Sequence, residues 1–450
     1  MKSRLTRSTL ISFLLILLIP NCAFAETKIF IKEYTYQASE DDSRNSSRVT
    51  AMREVKRLLL EELGTYLESI TEVKNFQLTK DQITSLTAGI VKTEIIDEKW
   101  NGEKYWIKTK IVADENDVIK SIDNLRKDRD KSRELEETKK RADAILEENK
   151  KLREELALAK GNAKQQVQKR YDKSIKELSA FEWLESGYKN HIQGDFKTAI
   201  ADYTKAIELN PKFDLAYNNR GVTYHLLGKY NEAIVDYNKA IELNPKYADA
   251  YNNRGMAYHV LGKYNEAFAD YNKSTELNPQ DAGPYNSRGI TYHIIGKYIE
   301  ALFEYNKAID LNPKYADAYN NRGMAYHVLG KYNEALVDYN KSTELNPKDA
   351  GPYNSRGVTY HILGKYIEAL FEYNKSIELN PKYADAYLNR GMAYHALGKY
   401  NEALVEYTKS IELNPPNAYA YKCRGMAYHA LGKYNEERVE YNKANQLELK

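Results

Sequence analysis

The feature that most constrains this chain is a 34-residue period that begins at Ala180 and continues to Lys450. Residues 180–213, 214–247, 248–281, 282–315, 316–349, 350–383, 384–417 and 418–450 align as eight repeats without insertions. A period of this length marks one supersecondary unit that cannot bury its own apolar face, so neighbours must stack into an array. Residues 248–315 are nearly copied in 316–383, which points to duplication of a two-repeat segment.

Within a repeat the spacing is that of a helical hairpin. Aromatic residues at position 4 (Trp183, Tyr217, Tyr251) and position 11 (Tyr224, Tyr258) share a helix face with Gly at position 8 (Gly187, Gly221, Gly255). That glycine lets a second helix approach closely, and Gly194, Gly228 and Gly262 at position 15 end the first helix. The second helix carries Ala233 at position 20, Tyr237 at position 24 and Ala240 at position 27 as its facing stripe. Proline, as in Asn244-Pro245, then stops it. Small and aromatic residues in these places resemble the tetratricopeptide repeat family over residues 180–450. The resemblance implies a right-handed superhelix of helix pairs, and hence a mainly α fold.

Two periodic polar sets stand out. Position 7 is Arg in repeats two to eight (Arg220 to Arg424), and position 23 is acidic in all of them (Asp202 to Glu440). Antiparallel helices bring the two sets together as a salt-bridge ladder, with phosphate binding by the arginines as the alternative. All eight histidines fall at position 12, from His191 to His429. The face resembling the concave, ligand-binding side of the family combines positions 5, 9 and 12: Asn218, Val222 and His225; Asn252, Met256 and His259; Asn286, Ile290 and His293; Asn320, Met324 and His327; Asn354, Val358 and His361. Such a lining can hydrogen-bond an extended peptide while Met adapts to its side chains. The plainer reading is that His is copied by duplication and fills space. Histidines one helix pair apart are about 10 Å from one another, too far to share a zinc ion. In the last repeat Glu437 and Arg438 replace the usual small and aliphatic residues, as expected of a polar cap on a helix without a neighbour.

The N-terminus reads as a secretory signal peptide over residues 1–25. Lys2, Arg4 and Arg7 precede an apolar run, Leu10 to Ile19, and a small-residue cleavage site follows at Ala23-Phe24-Ala25. The run is shorter than the about 20 residues needed to cross a bilayer. Lipidation at Cys22 is the alternative, disfavoured by Ile19-Pro20-Asn21 before it. The expected setting is periplasmic or secreted, with no transmembrane segment in the mature chain and Cys423 as its one cysteine.

Residues 26–124 read as a small α+β domain. Strand formers at 27–36 are followed by helical spacing at Val49, Met52, Val55, Leu59, Leu63, Tyr66 and Leu67. A hairpin, Ile90–Glu98 and Tyr105–Ala113, turns at Asn101-Gly102, and a short helix is expected over Asn116–Leu125. Trp100 and Trp106 flank the turn and read as cross-strand packing rather than a partner-facing patch. The runs EVKRLLLEELGTYLESITEVKNFQLTKDQITSLTAGIVKTEIIDEKW and YWIKTKIVADENDVIK resemble the N-terminal domain of flagellar assembly protein T and related bacterial envelope proteins. That resemblance implies a bacterial, extracytoplasmic setting, but not a flagellar role.

Residues 125–179 read as a coiled coil and linker. Leu135, Ala142, Asn149 and Leu156 recur every seven residues, as do Thr138, Ile145, Leu152 and Ala159, which makes an a/d heptad over 131–161. Opposite charges at Glu134–Lys139, Glu148–Arg153 and Glu155–Lys160 suit parallel pairing, and Asn149 at an a position favours two strands. A homodimer through these residues is the expectation, with a single solvated helix as the alternative. After Gly161 the pattern reads as a polar linker.

Function is bounded by what is missing. The net charge is +3, and removing the three leader cations leaves a balanced chain, which argues against nucleic acid. No GxSxG, HExxH, P-loop or CxxC motif occurs, so neither an enzyme nor a cofactor is expected. What remains is a scaffold binding a protein or peptide in assembly of an envelope complex, or else a spacer without a specific ligand.

Overall fold

A computed structural model describes residues 27–40, 42–73, 91–114 and 129–449, together with 87 and 118. The leader with Cys22 lies outside the described residues, as does the helix expected over Asn116–Leu125 apart from Val118, which is helical and buried in the core of the first unit. Two compact units result, the first ending at Ala216 and the second starting at Tyr217.

In the first unit the strand formers make β1 (Thr27–Gln37), and the hairpin arms make β2 (Thr93–Trp100) and β3 (Lys104–Asp114). All pair antiparallel in the order β1-β3-β2. Trp100 stands opposite Tyr105, so the two central turn residues are Gly102 and Glu103 rather than Asn101 and Gly102. Gly102 takes φ 94°, and Asn101 Oδ1 accepts from the backbone N–H of Glu103 (3.0 Å) and Lys104 (2.7 Å). The side chain of Asn101 thus closes the turn from its first position. Trp100 packs at 6.1 Å from Tyr105, as cross-strand packing requires.

Ser43 caps α1 (Arg44–Val73) by accepting from the N–H of Ser46 at 3.1 Å. Its apolar stripe lies on the sheet. Leu59, Leu63 and Leu67 form one core with Phe30 and Ile111, and Val55 joins Tyr36, Tyr105 and Ile107 in a second. Along β3 Tyr105, Ile107, Thr109 and Ile111 are buried in alternation with half-buried Trp106, Lys108 and Lys110.

The heptad segment is α2 (Arg129–Leu158), and Gly161 in a left-handed conformation (φ 56°) turns the chain back into α3 (Gly161–Ile192). The stretch expected to be a polar linker is therefore helix. Tyr171, Ile175 and Leu178, spaced i, i+4, i+7, pack on Leu146, Leu152 and Leu156 of α2 and on Val49 of α1. Ala142 and Asn149 are buried too. Between Thr138 and Leu156 the heptad stripe is thus covered within the chain apart from half-buried Ile145, and pairing of two copies through it requires this hairpin to open. One continuous helix, α3, leads into the first repeat.

Polar contacts made once each hold this unit. The guanidinium of Arg53 (α1) lies 2.7 Å from Glu185 (α3), which Lys56 also contacts, and 3.7 Å from Asp143 (α2). These cations overcome burial and hold the Glu185 carboxyl down at about 2, while burial pushes Glu182 up to about 7. Asp42 accepts from Ser39 N–H (2.8 Å) and from Tyr36 and Tyr171 hydroxyls.

The second unit is built of helix pairs such as Ala248–Val260 with Tyr264–Leu277 and Ala316–Val328 with Tyr332–Leu345. Helices of this length are marginal alone, so stacking stabilises them. The first helix ends in a Schellman motif: Gly262 (φ 71°) donates to His259 O at 2.9 Å, and Lys263 donates to Tyr258 O at 2.9 Å. Position 8 requires Gly in the first seven repeats, as at Gly323, where a Cβ would lie 2.7 Å from the ring of Tyr339, which is 1% exposed; at Gly425 in the eighth the nearest atom would be 3.4 Å away.

Candidate binding face of the repeats

The position 7 arginines are structural. Arg254 reaches Asp270 at 2.6 Å, Arg288 Glu304 at 2.7 Å, Arg322 Asp338 at 2.7 Å and Arg356 Glu372 at 2.7 Å, all buried or half-buried. Each also donates its second nitrogen to an Asn of the preceding repeat, as Arg322 does to Asn306 at 2.7 Å. The ladder is therefore also a staple between neighbours, which leaves the arginines engaged rather than presented to a phosphate. In the first repeat Ser186 stands at position 7, and Ser186 (2.7 Å) and Asn190 (2.8 Å) together donate to Asp202. Asn190 thus takes the position 11 place that Tyr224 and Tyr258 hold in the next repeats and serves this carboxylate.

The expected Asn–apolar–His lining divides into two kinds of junction. Asn218, Asn286 and Asn354 are buried, and each accepts from an Asn of the next repeat: Asn253 (3.1 Å), Asn321 (3.0 Å) and Asn389 (3.0 Å). Asn252 and Asn320 meet Ser at the equivalent place (Ser287, Ser355), and their Oδ1 atoms have no partner. Histidines follow the reverse pattern. His259 and His327 bond Thr291 and Thr359 of the next repeat at 2.8 Å, whereas the Nδ1 atoms of His293 and His361 have no partner, the residues there being Ala325 and Ala393. Each ring also stands edge-on or tilted against the Tyr at position 17, as His293 does at 5.1 Å from Tyr298. Burial lowers the pKa of His225, His259, His293, His327 and His361 below 6.5, so they present neutral imidazoles at pH 7.

Beside them runs an apolar track that the sequence reading missed. Position 13 lies one turn beyond position 9 on the same face, and it is exposed throughout: Leu226 56%, Val260 49%, Ile294 58%, Val328 50% and Ile362 56%. Paired with Val222, Met256, Ile290, Met324 and Val358, these residues make an i, i+4 apolar couple in each of five successive repeats. The signal was available, since position 13 keeps the same period, but a lone aliphatic at a helix end does not announce its exposure. Among the described residues no group of three His, Cys, Asp or Glu side chains could hold a metal ion.

Family models described as tetratricopeptide repeats match overlapping segments from residue 187 to residue 432 without a gap. The chain is a tetratricopeptide repeat protein. Tetratricopeptide repeats serve as a scaffold for protein–protein interaction, and their helix-pair array is shared with solved structures. The APC/C hetero-tetramer Cut9-Hcn1 matches with a TM-score of 0.50 at 20% identity, over 63% of this chain and 56% of that one. This tetratricopeptide repeat protein therefore spans little more than half of that relative. A tetratricopeptide repeat protein from Parabacteroides merdae matches at TM-score 0.46 and 23% identity, covering 55% of this chain and 98% of that one. YrrB, described as having an unusual peptide-binding site, matches at TM-score 0.33 and 27% identity, covering 44% and 97%. No curated protein sequence matches the chain. Among the described residues no helix is long and apolar enough to cross a membrane.

Proposed function

We propose that the protein is an exported bacterial adaptor whose eight repeats, 180–450, hold a protein or peptide ligand in the assembly of an envelope complex. The observation that carries the ligand-binding part is the exposed apolar track, Met256–Val260, Ile290–Ile294 and Met324–Val328, flanked by uncharged His and Asn. An apolar row with neutral hydrogen-bonding groups beside it suits an extended or helical segment with periodic apolar anchors, not a nucleic acid or a strongly acidic peptide. The signal-peptide pattern of residues 1–25 and the likeness of the N-terminal domain to that of flagellar assembly protein T support the envelope setting. The family's scaffold role supports a non-enzymatic reading.

The test is capture from bacterial envelope extract by the full chain, beside a variant with Met256, Val260, Met324 and Val328 changed to Ala. A protein retained by the native chain and lost by the variant supports the reading. Equal capture moves binding to another surface, and no capture favours a spacer. Sequencing the exported protein should begin at Glu26; retention of the leader in the cytoplasm overturns export.

A further inference from the structure

The α2 stripe has a second packing partner available to it. Inside the hairpin Asn149 is 2% exposed, and neither Oδ1 nor Nδ2 of its amide has a hydrogen-bond partner. A buried amide in that condition weighs against the hairpin. In a parallel two-stranded coiled coil the same residue occupies an a position, where the two copies face each other and can bond across the axis. The hairpin also misplaces a core residue. Ile145, the d residue, is only half-buried, and Leu146 fills the space instead.

We propose that α2 exchanges between two partners: α3 and α1 of its own chain, and α2 of a second copy in parallel register. Pairing turns Ile145 inward and satisfies Asn149. Charge supports the same partner. The closed hairpin engages Arg153 with Asp42 at 3.4 Å and Glu155 with Arg170 at 3.0 Å. Opening releases both for the inter-chain pairs Glu148–Arg153 and Glu155–Lys160, which parallel register places in reach. The hinge is the connector Ala159–Lys160, with Gly161 held at φ 56°. Opening uncovers Val49, Tyr171, Ile175 and Leu178, so pairing is favoured where two copies are already held together. Joining two arrays gives bivalent binding, a consequence that rests on the ligand-binding reading; the pairing itself does not.

The test uses the full chain with Cys22→Ser and Cys423→Ser, adding either Asn149→Cys or, on the outward face, Lys151→Cys. Under mild oxidation the expected result is a disulfide-linked dimer from Asn149→Cys, formed at least about tenfold faster than from Lys151→Cys and faster at higher concentration. Equal rates, or no dimer, overturn the proposal. A second measurement avoids substitution at the buried site. By sedimentation equilibrium, Glu148→Lys with Glu155→Lys, and Arg153→Glu with Lys160→Glu, should each weaken self-association, and mixing the two should restore it. A native chain that stays monomeric, or association indifferent to these charges, also overturns it. Cross-linking without ligand capture would leave the pairing intact and reject only the ligand reading.

Discussion

The N-terminal unit and the repeat array solve the same problem by opposite means. The array repeats one set of small contacts: a Gly under a Tyr, an Arg between a carboxylate and a neighbour's Asn, a Schellman end. Each defect is then confined to a repeat and its neighbours. The N-terminal unit relies on contacts that occur once. Arg53, Lys56, Glu185 and Asp143 join three helices, and Asp42 gathers the β1–α1 loop, α2 and α3. Redundancy makes the array tolerant, and its absence makes the first unit brittle.

The sharpest way to break the comparison is Arg53→Ala. Taking Arg53 from the buried Glu185 carboxylate, with Lys56 still in contact, and from Asp143 should cost about 3 kcal/mol. Hydrogen exchange should then show protection lost in α1, α2 and α3 and kept from residue 248 onward; equal loss in both regions would contradict the contrast. In the array, Gly323→Ala drives a Cβ against Tyr339 and should cost about 1–3 kcal/mol. Its effect on exchange should be limited to 316–345 and the adjoining helices.

Acidity should move the two regions in opposite directions. His225, His259, His293, His327 and His361 have folded pKa values below the ordinary 6.5, so their contribution is present above 6.5 and is lost as pH falls through the lowered values. Glu182 is raised from 4.5 to about 7, so its contribution is present below 4.5 and is lost as pH rises toward about 7. Glu185, held at about 2, stays ionised across that window. Exchange protection compared at about pH 5 and about pH 6.5 should therefore be lower at pH 5 in the array and higher at pH 5 around α3. The smallest effect concerns the two junctions. Thr359→Ala should destabilise by about 0.5–1.5 kcal/mol by removing the partner of His327, and Ala325→Thr should offset the orphaned His293 by a similar amount. Urea denaturation of both variants checks the pair; effects of the same sign would refute the alternation.

Much of the array was legible before any coordinates. Arg and acid recur at fixed places, and any antiparallel hairpin brings such places together, so the ladder followed from the period. Of the two polar residues at the last helix, Arg438 is exposed, whereas Glu437 is half-buried and meets His429 at 3.0 Å. The lining was legible only in part. Asn218 and Asn252 occupy the same position, yet one is bonded to its neighbour and the other is not. The difference lies in whether the next repeat offers Asn253 or Ser287.

By itself, the sequence determined the period, the helix pairs, the salt-bridge ladder, the sheet hairpin and the heptad, because each depends on spacing along one element or on a contact repeated in every unit. Only the tertiary structure decided which partner covers the heptad stripe, that residues 161–179 are helix, and which Asn and His atoms remain free. Those outcomes depend on which distant side chain arrives beside a given one. An amphipathic stripe states that it must be covered without naming what will cover it.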